Sequence, residues 1–226
     1  MSSAGRELWR FFPDYEIEPF VVGRGEKSPI VFHNRNARGE IVMKLTTKNT
    51  FWSQYAYQFG HEFCHILCGF DRDGSKNEWF EETLCETASL FVMRAMAKTW
   101  KNDAPYPNWV DYRHSLQDYA DDVIEKRIAI PKGGLAAFYR ENEAKLNEST
   151  TDRELNGAVA NVLVGWFEEN PENWESVRWI NSSPAVAGET FGEYLGKWHA
   201  AVPERRKAFV ERIAKAFEIE MEVPES

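Results

Sequence analysis

Residues 61 to 65 read HEFCH, two histidines four apart with a glutamate directly after the first. On an α-helix four residues turn the chain by about 400°, so His61 and His65 project from one face, one turn apart. Two imidazole nitrogens placed in this way can bind one ion. The charges suggest the remaining roles: neutral imidazoles hold zinc, and zinc lowers the pKa of water from about 15.7 towards about 7. Glu62, one position round the helix, is placed to take a proton as the water attacks a carbonyl. So short a motif also arises by accident, and its weight depends on whether a third ligand follows at a workable distance.

Downstream, residues 78 to 91 read EWFEETLCETASLF, inside a segment, 77 to 100, that contains neither Gly nor Pro. This predicts a second helix. It offers Glu81, Glu82 and Glu86. Glu82 and Glu86 are four apart and share a face, whereas Glu81 is turned about 100° from Glu82.

On these residues the chain resembles the gluzincin metallopeptidases, whose zinc is held by the two histidines of HExxH and by a glutamate on a following helix. Several gluzincins carry that glutamate three residues after a tryptophan, and Trp79 precedes Glu82 at that spacing. In thermolysin-like members an acidic residue four beyond the ligand hydrogen-bonds the first histidine, the place that Glu86 takes here. The resemblance thus implies zinc on His61, His65 and Glu82, Glu62 as general base, and Glu86 as support for His61. Such a carboxylate has a physical task in any case, since it fixes the tautomer and orientation of a ligating ring. The reverse assignment, Glu86 as ligand and Glu82 as support, stays open in the sequence.

The resemblance covers roughly residues 40 to 95 and departs from the family twice. Sixteen residues separate His65 from Glu82, a short connection, and Thr83 stands where glycine or alanine often follows the ligand glutamate. The tract CGFDRDGSKNE suits a short loop. Gly69 can end the first helix, Asp71, Asp73, Gly74 and Ser75 form turns, and Asn77 can cap the second helix.

Composition sets the surroundings. With 226 residues, 43% of them hydrophobic, the chain can bury a full core, as one domain or as a small one plus an extension. A net charge of −9 argues against nucleic acid or an anionic membrane as electrostatic partners. The opening MSSAGRELWRFF has no apolar signal region, and no stretch reaches transmembrane length. Three cysteines, Cys64, Cys68 and Cys85, make a poor disulfide framework and point to a reducing cytoplasm. They could join the histidines in a structural zinc site. Small buried apolar residues are the preferred reading, because free cysteine is among the most buried types.

The first fifty residues look β-rich, with strands expected at 15–22, 29–33 and 41–47 and the segment HNRNARGE turning between the last two. In metallopeptidases of the resembled type the strand before the HExxH helix is an edge strand that pairs with extended substrate, here 41–47. The plain alternative is a hairpin covering the core. From residue 51 helices dominate, with Phe51, Trp52, Tyr55, Phe59, Phe63 and Leu67 suiting a buried active-site helix. Further helices are expected near 110–127, 133–146, 152–169, 171–180, 189–201 and 203–218, and the loop NSSPAVAGE at 181–189 could mark a subdomain joint. The nine tryptophans read mostly as core, and His33, His114 and His199 as structural residues. Tyr106, Tyr112, His114, Tyr119, Tyr139, Tyr194 and His199 are candidates for an oxyanion-stabilising group, with Tyr106 posed by two prolines, and no motif selects one.

The expectation is an α+β, zincin-like domain over residues 1–226: a β-rich part at 1–50, active-site helices at 51–100 and a helical remainder at 101–226. Its expected activity is zinc-dependent hydrolysis of a peptide or protein substrate. The rival is a metal-binding regulatory protein that keeps the scaffold without turnover.

Overall fold

A computed structural model describes residues 1–69 and 75–222. These are mostly helical, with one three-stranded sheet, and so are α+β in the general sense. None of their helices is long and apolar enough to cross a membrane. The chain divides into two compact units, Met1–Ile66 with Cys85–Lys126, and Leu67–Leu84 with Arg127–Ser226.

The first unit holds the sheet. Strand β1 (Phe20–Arg24), β2 (Ile30–Phe32) and β3 (Ile41–Leu45) lie in the order β1-β3-β2. In β3 the alternation is visible in the burial: Ile41, Met43 and Leu45 face the core while Val42 and Lys44 are half-buried. β3 pairs parallel with β1, Phe20 opposite Ile41, and antiparallel with β2, Phe32 opposite Val42. The hairpin turn is built by Asn36, whose Oδ1 accepts from the amides of Arg38 (2.8 Å) and Glu40 (3.1 Å), with Gly39 at φ 77°.

Three expectations need correction here. β3 is the central strand, so both its backbone edges are used and it cannot bind an extended substrate; the hairpin reading holds. Alternation shows which face a strand buries and says nothing about its neighbours. β3 also stops at Leu45, short of 47, because the amides of Thr46 and Thr47 turn to Gln58 Oε1 (2.9 and 3.2 Å). β1 begins at Phe20, not at 15, just after Pro19, whose carbonyl accepts from Ile41 (3.0 Å).

The β-rich reading of the first fifty residues overlooked helix α1 (Ser2–Trp9). Eight residues including Gly5 are too few to hold a helix in water, so packing must supply its stability. Ala4 and Leu8 are fully buried, Trp100 Nε1 donates to Ser3 Oγ (2.7 Å), and Thr99 Oγ1 donates to Glu7 Oε1 (2.8 Å).

Helix α2 (Trp52–Leu67) buries Phe59, Phe63 and Leu67. Burying each of these stabilises the fold by roughly 1.5–3 kcal/mol. Phe59 stacks on Phe63 at 5.2 Å, and Phe20 of β1 lies 5.7 Å from Phe63. The apolar start of α2 is not buried as expected: Phe51 is 63% and Trp52 43% exposed. Ser53 fixes this end, its amide and Oγ donating to the Tyr112 hydroxyl at 3.1 and 3.2 Å. Helix α3 (Glu78–Thr99) and α4 (Tyr112–Lys126) follow the predicted spans closely.

The second unit contains α5 (Gly134–Glu148), α6 (Arg153–Glu169), α7 (Phe191–Ala201) and α8 (Glu204–Phe217). The segment Pro171–Trp179 is 3₁₀, tighter than the α-helix expected there. The aromatic core gathers Trp79, Tyr139, Phe191 and Phe217, with Trp79 at 5.0 Å from Phe191 and 5.7 Å from Tyr139. Arg205 and Arg206 of α8 both bind the buried Glu175 carboxylate. The loop 181–189 lies inside this unit. It is anchored at both ends: Asn181 Nδ2 donates to Glu81 Oε2 (2.7 Å), and Ser75 Oγ donates to Glu189 Oε2 (3.1 Å).

The expected turn formers Asp71, Asp73 and Gly74 lie outside the described residues. At the rim of that tract Gly69 has φ 93°, as a helix-ending glycine should. Asn77 precedes α3 but does not cap it through its side chain. Its Nδ2 donates to the carbonyls of Glu189 (3.1 Å) and Thr190 (3.3 Å) instead.

Candidate metal centre

His61 and His65 sit on α2 as the spacing requires, their ring centroids 5.1 Å apart and their planes at 71°. Both are partly open to solvent, as is Glu82 on α3. One ring nitrogen from each histidine and one carboxylate oxygen of Glu82 lie within 4.8 Å of one another. Nitrogen and oxygen donors at this mutual separation can converge on a small cation with little movement, since Zn–N is about 2.0–2.1 Å and Zn–O about 2.0–2.2 Å.

The close approach of α2 and α3 has a local cause. A Cβ on Gly60 would stand 3.2 Å from Ser89 Cα and 3.4 Å from the Ala88 carbonyl oxygen. Glycine costs a helix interior about 1 kcal/mol against alanine, and here that loss admits a neighbouring backbone. His61 follows Gly60 directly, so the contact sets how near its ring comes to α3.

Glu86 is 6% exposed and faces His61, with Oε1 at 3.6 Å from Nδ1. This is longer than a hydrogen bond. Its other oxygen, Oε2, accepts from the Tyr57 hydroxyl at 2.5 Å. Glu62 is buried on α2 at 4% exposure. Glu81 is turned off the Glu82 face as the helical angle predicts, and is held by Asn181.

Two other sets of ligand-type atoms gather on these helices and the turn after α2. Cys64, Cys68 and Cys85 place their Sγ atoms within 4.8 Å of one another, and all three residues are fully buried and in no disulfide. His65, Glu81 and Cys85 form the third set. His61, His65 and Glu82 are the set in which every member is partly open, and therefore the one that water and a substrate could reach.

Sequence reasoning missed Tyr57. The available signal was its position four before His61, which puts it on the same helical face. Of the oxyanion candidates, Tyr119 packs against a neighbour of the site: its ring meets Tyr57 edge-on at 5.7 Å. Burial and the Glu86 charge together push its hydroxyl above the usual range. The other candidates are engaged elsewhere. Tyr106 is 58% exposed against Trp109, Tyr112 binds Ser53, Tyr139 donates to Glu143 (3.0 Å), and His199 meets Glu211 (3.0 Å). His114 is exposed and Tyr194 is buried.

Compared with protein-family models, curated proteins and solved structures, the chain matches none of them.

Proposed function

We propose that the protein is a zinc-dependent peptidase of gluzincin type on a zincin-like α+β fold. The observation that carries this reading is the gathering of His61, His65 and Glu82, with sixteen residues between the second histidine and the glutamate, into one partly open group. Two imidazoles and a carboxylate fit a catalytic zinc, which keeps a fourth position for water or substrate. When bound, zinc would lower the pKa of water towards about 7 and polarise the scissile carbonyl.

The chain's own residues supply the rest. Nε2 of His61 is the nitrogen left to bind metal when Nδ1 faces Glu86. Glu62, adjacent to His61 and sheltered from solvent, takes a proton from the attacking water and hands it to the leaving amine. A carboxylate in that position gives a metal-holding helix its base. The Glu82 grouping favours Glu82 as third ligand and Glu86 as support. The proposed location is a reducing cytoplasm, as three cysteines clustered around the HExxH segment and the following helix suggest in the sequence.

The test is zinc stoichiometry together with cleavage of a peptide library, with and without chelator. The unaltered chain should bind about one zinc and cleave. Glu62→Gln should keep the metal and lose hydrolysis; equal activity in that variant rules out the mechanism. Zinc binding without any cleavage would favour the regulatory, non-enzymatic reading.

A further inference from the structure

Both oxygens of the Glu86 carboxylate have distinct partners. Oε1 faces His61 Nδ1 at 3.6 Å and Oε2 accepts from Tyr57 Oη at 2.5 Å. Tyr57 and His61 are four residues apart on α2, so the two partners of Glu86 stand one above the other on a single helical face. The backbone around Tyr57 is tied to α3 as well, because Ser89 Oγ donates to the Tyr57 carbonyl at 2.9 Å. Tyr119 closes the outer side of the Tyr57 ring at 5.7 Å.

A carboxylate with one oxygen bonded can still swing about its last torsion, which is broad and roughly two-fold. The short bond from Tyr57 to Oε2 narrows that swing and keeps Oε1 on the side of His61 Nδ1. A carboxylate oxygen kept on the Nδ1 side of His61 favours the tautomer with its proton on Nδ1, which puts the ring's lone pair on Nε2 for a metal.

We infer that Tyr57 is a positioning residue for the metal centre, acting through Glu86 to set the tautomer and orientation of His61. The inference rests on the zinc reading and adds a residue to it. A purely structural role would have Tyr57 stabilise the helix pair without changing how well His61 binds metal.

Zinc affinity is measured by competition against a chromophoric chelator, using the full-length chain, alongside urea unfolding of the metal-free protein. Tyr57→Phe should weaken zinc binding roughly tenfold, within the range that outer partners of metal ligands command. In a Glu86→Ala background the same substitution should cost nothing further. Tyr57→Gln, which can still donate, should retain more affinity than Tyr57→Leu, a comparison that holds even if Tyr57→Phe folds poorly. If the unaltered chain binds no zinc, the proposed function falls and this inference with it. If the chain binds zinc and Tyr57→Phe leaves affinity unchanged, or lowers it equally without Glu86, only the inference is overturned.

Discussion

Glu82 and Glu86 differ by one helical turn and do different things. Glu82 shares a donor group with both histidines, while Glu86 lies against the outer nitrogen of one of them. Their substitutions should therefore separate. Glu82→Ala removes a donor and should abolish tight zinc binding; Glu86→Ala should weaken it by about 10–100-fold, the usual cost of losing an outer partner. Equal losses from the two would show that the assignment is wrong. The histidine pair was legible in the sequence because a helix converts a spacing of four into a shared face. The choice between the glutamates was not, since both satisfy that spacing and only the placement of α3 against α2 tells them apart. Tyr57 was hidden for a related reason: its role comes from a carboxylate twenty-nine positions away in the chain.

At the scale of elements, the α2–α3 contact depends on the missing side chain at residue 60. Gly60→Ala would gain about 1 kcal/mol of helix propensity and lose more, because the new methyl meets Ser89 backbone at 3.2 Å, which cannot swing aside as a side chain would. A net destabilisation of about 1–3 kcal/mol by urea unfolding is expected, with weaker zinc binding besides. Unchanged stability would show that the helices have room to part. Helices were the elements best read from sequence, since α3 to α8 carry long uninterrupted segments or clear caps, such as the Thr190–Glu193 capping box of α7. The sheet was read less well. Its strands are three to five residues long, and nothing in IVMKL reveals that β1 lies on one side and β2 on the other. Helix α1 escaped because its helicity is imposed by Trp100 and Thr99, ninety residues or more away.

For the molecule as a whole, pH should act through Glu175. Burial alone would raise its carboxyl, but hydrogen bonds and charge from Arg205 and Arg206 outweigh that and hold it below the usual range. A depressed carboxyl stabilises the fold above its unfolded value of about 4.3, and that contribution is lost as pH falls through the lower folded value. Glu175→Gln should cost about 2 kcal/mol at neutral pH, at the low end for a broken buried pair because Arg205 is half-exposed. The gap between variant and unaltered protein should close in acid, below about pH 4. A gap that persists there would assign the loss to packing.

The division of the chain has a consequence for synthesis. The segments of the first unit are complete once Lys126 has emerged, but Leu67–Leu84, which belongs to the second, is made long before its partners at Arg127–Ser226. Until Phe191 and Phe217 leave the ribosome, Trp79 and Phe80 lack two of the aromatic neighbours that bury them. At about 5–20 residues per second that interval lasts several seconds or more. A nascent chain halted after residue 126 should therefore be a chaperone client, its greasy N-terminal turn of α3 waiting for the last hundred residues.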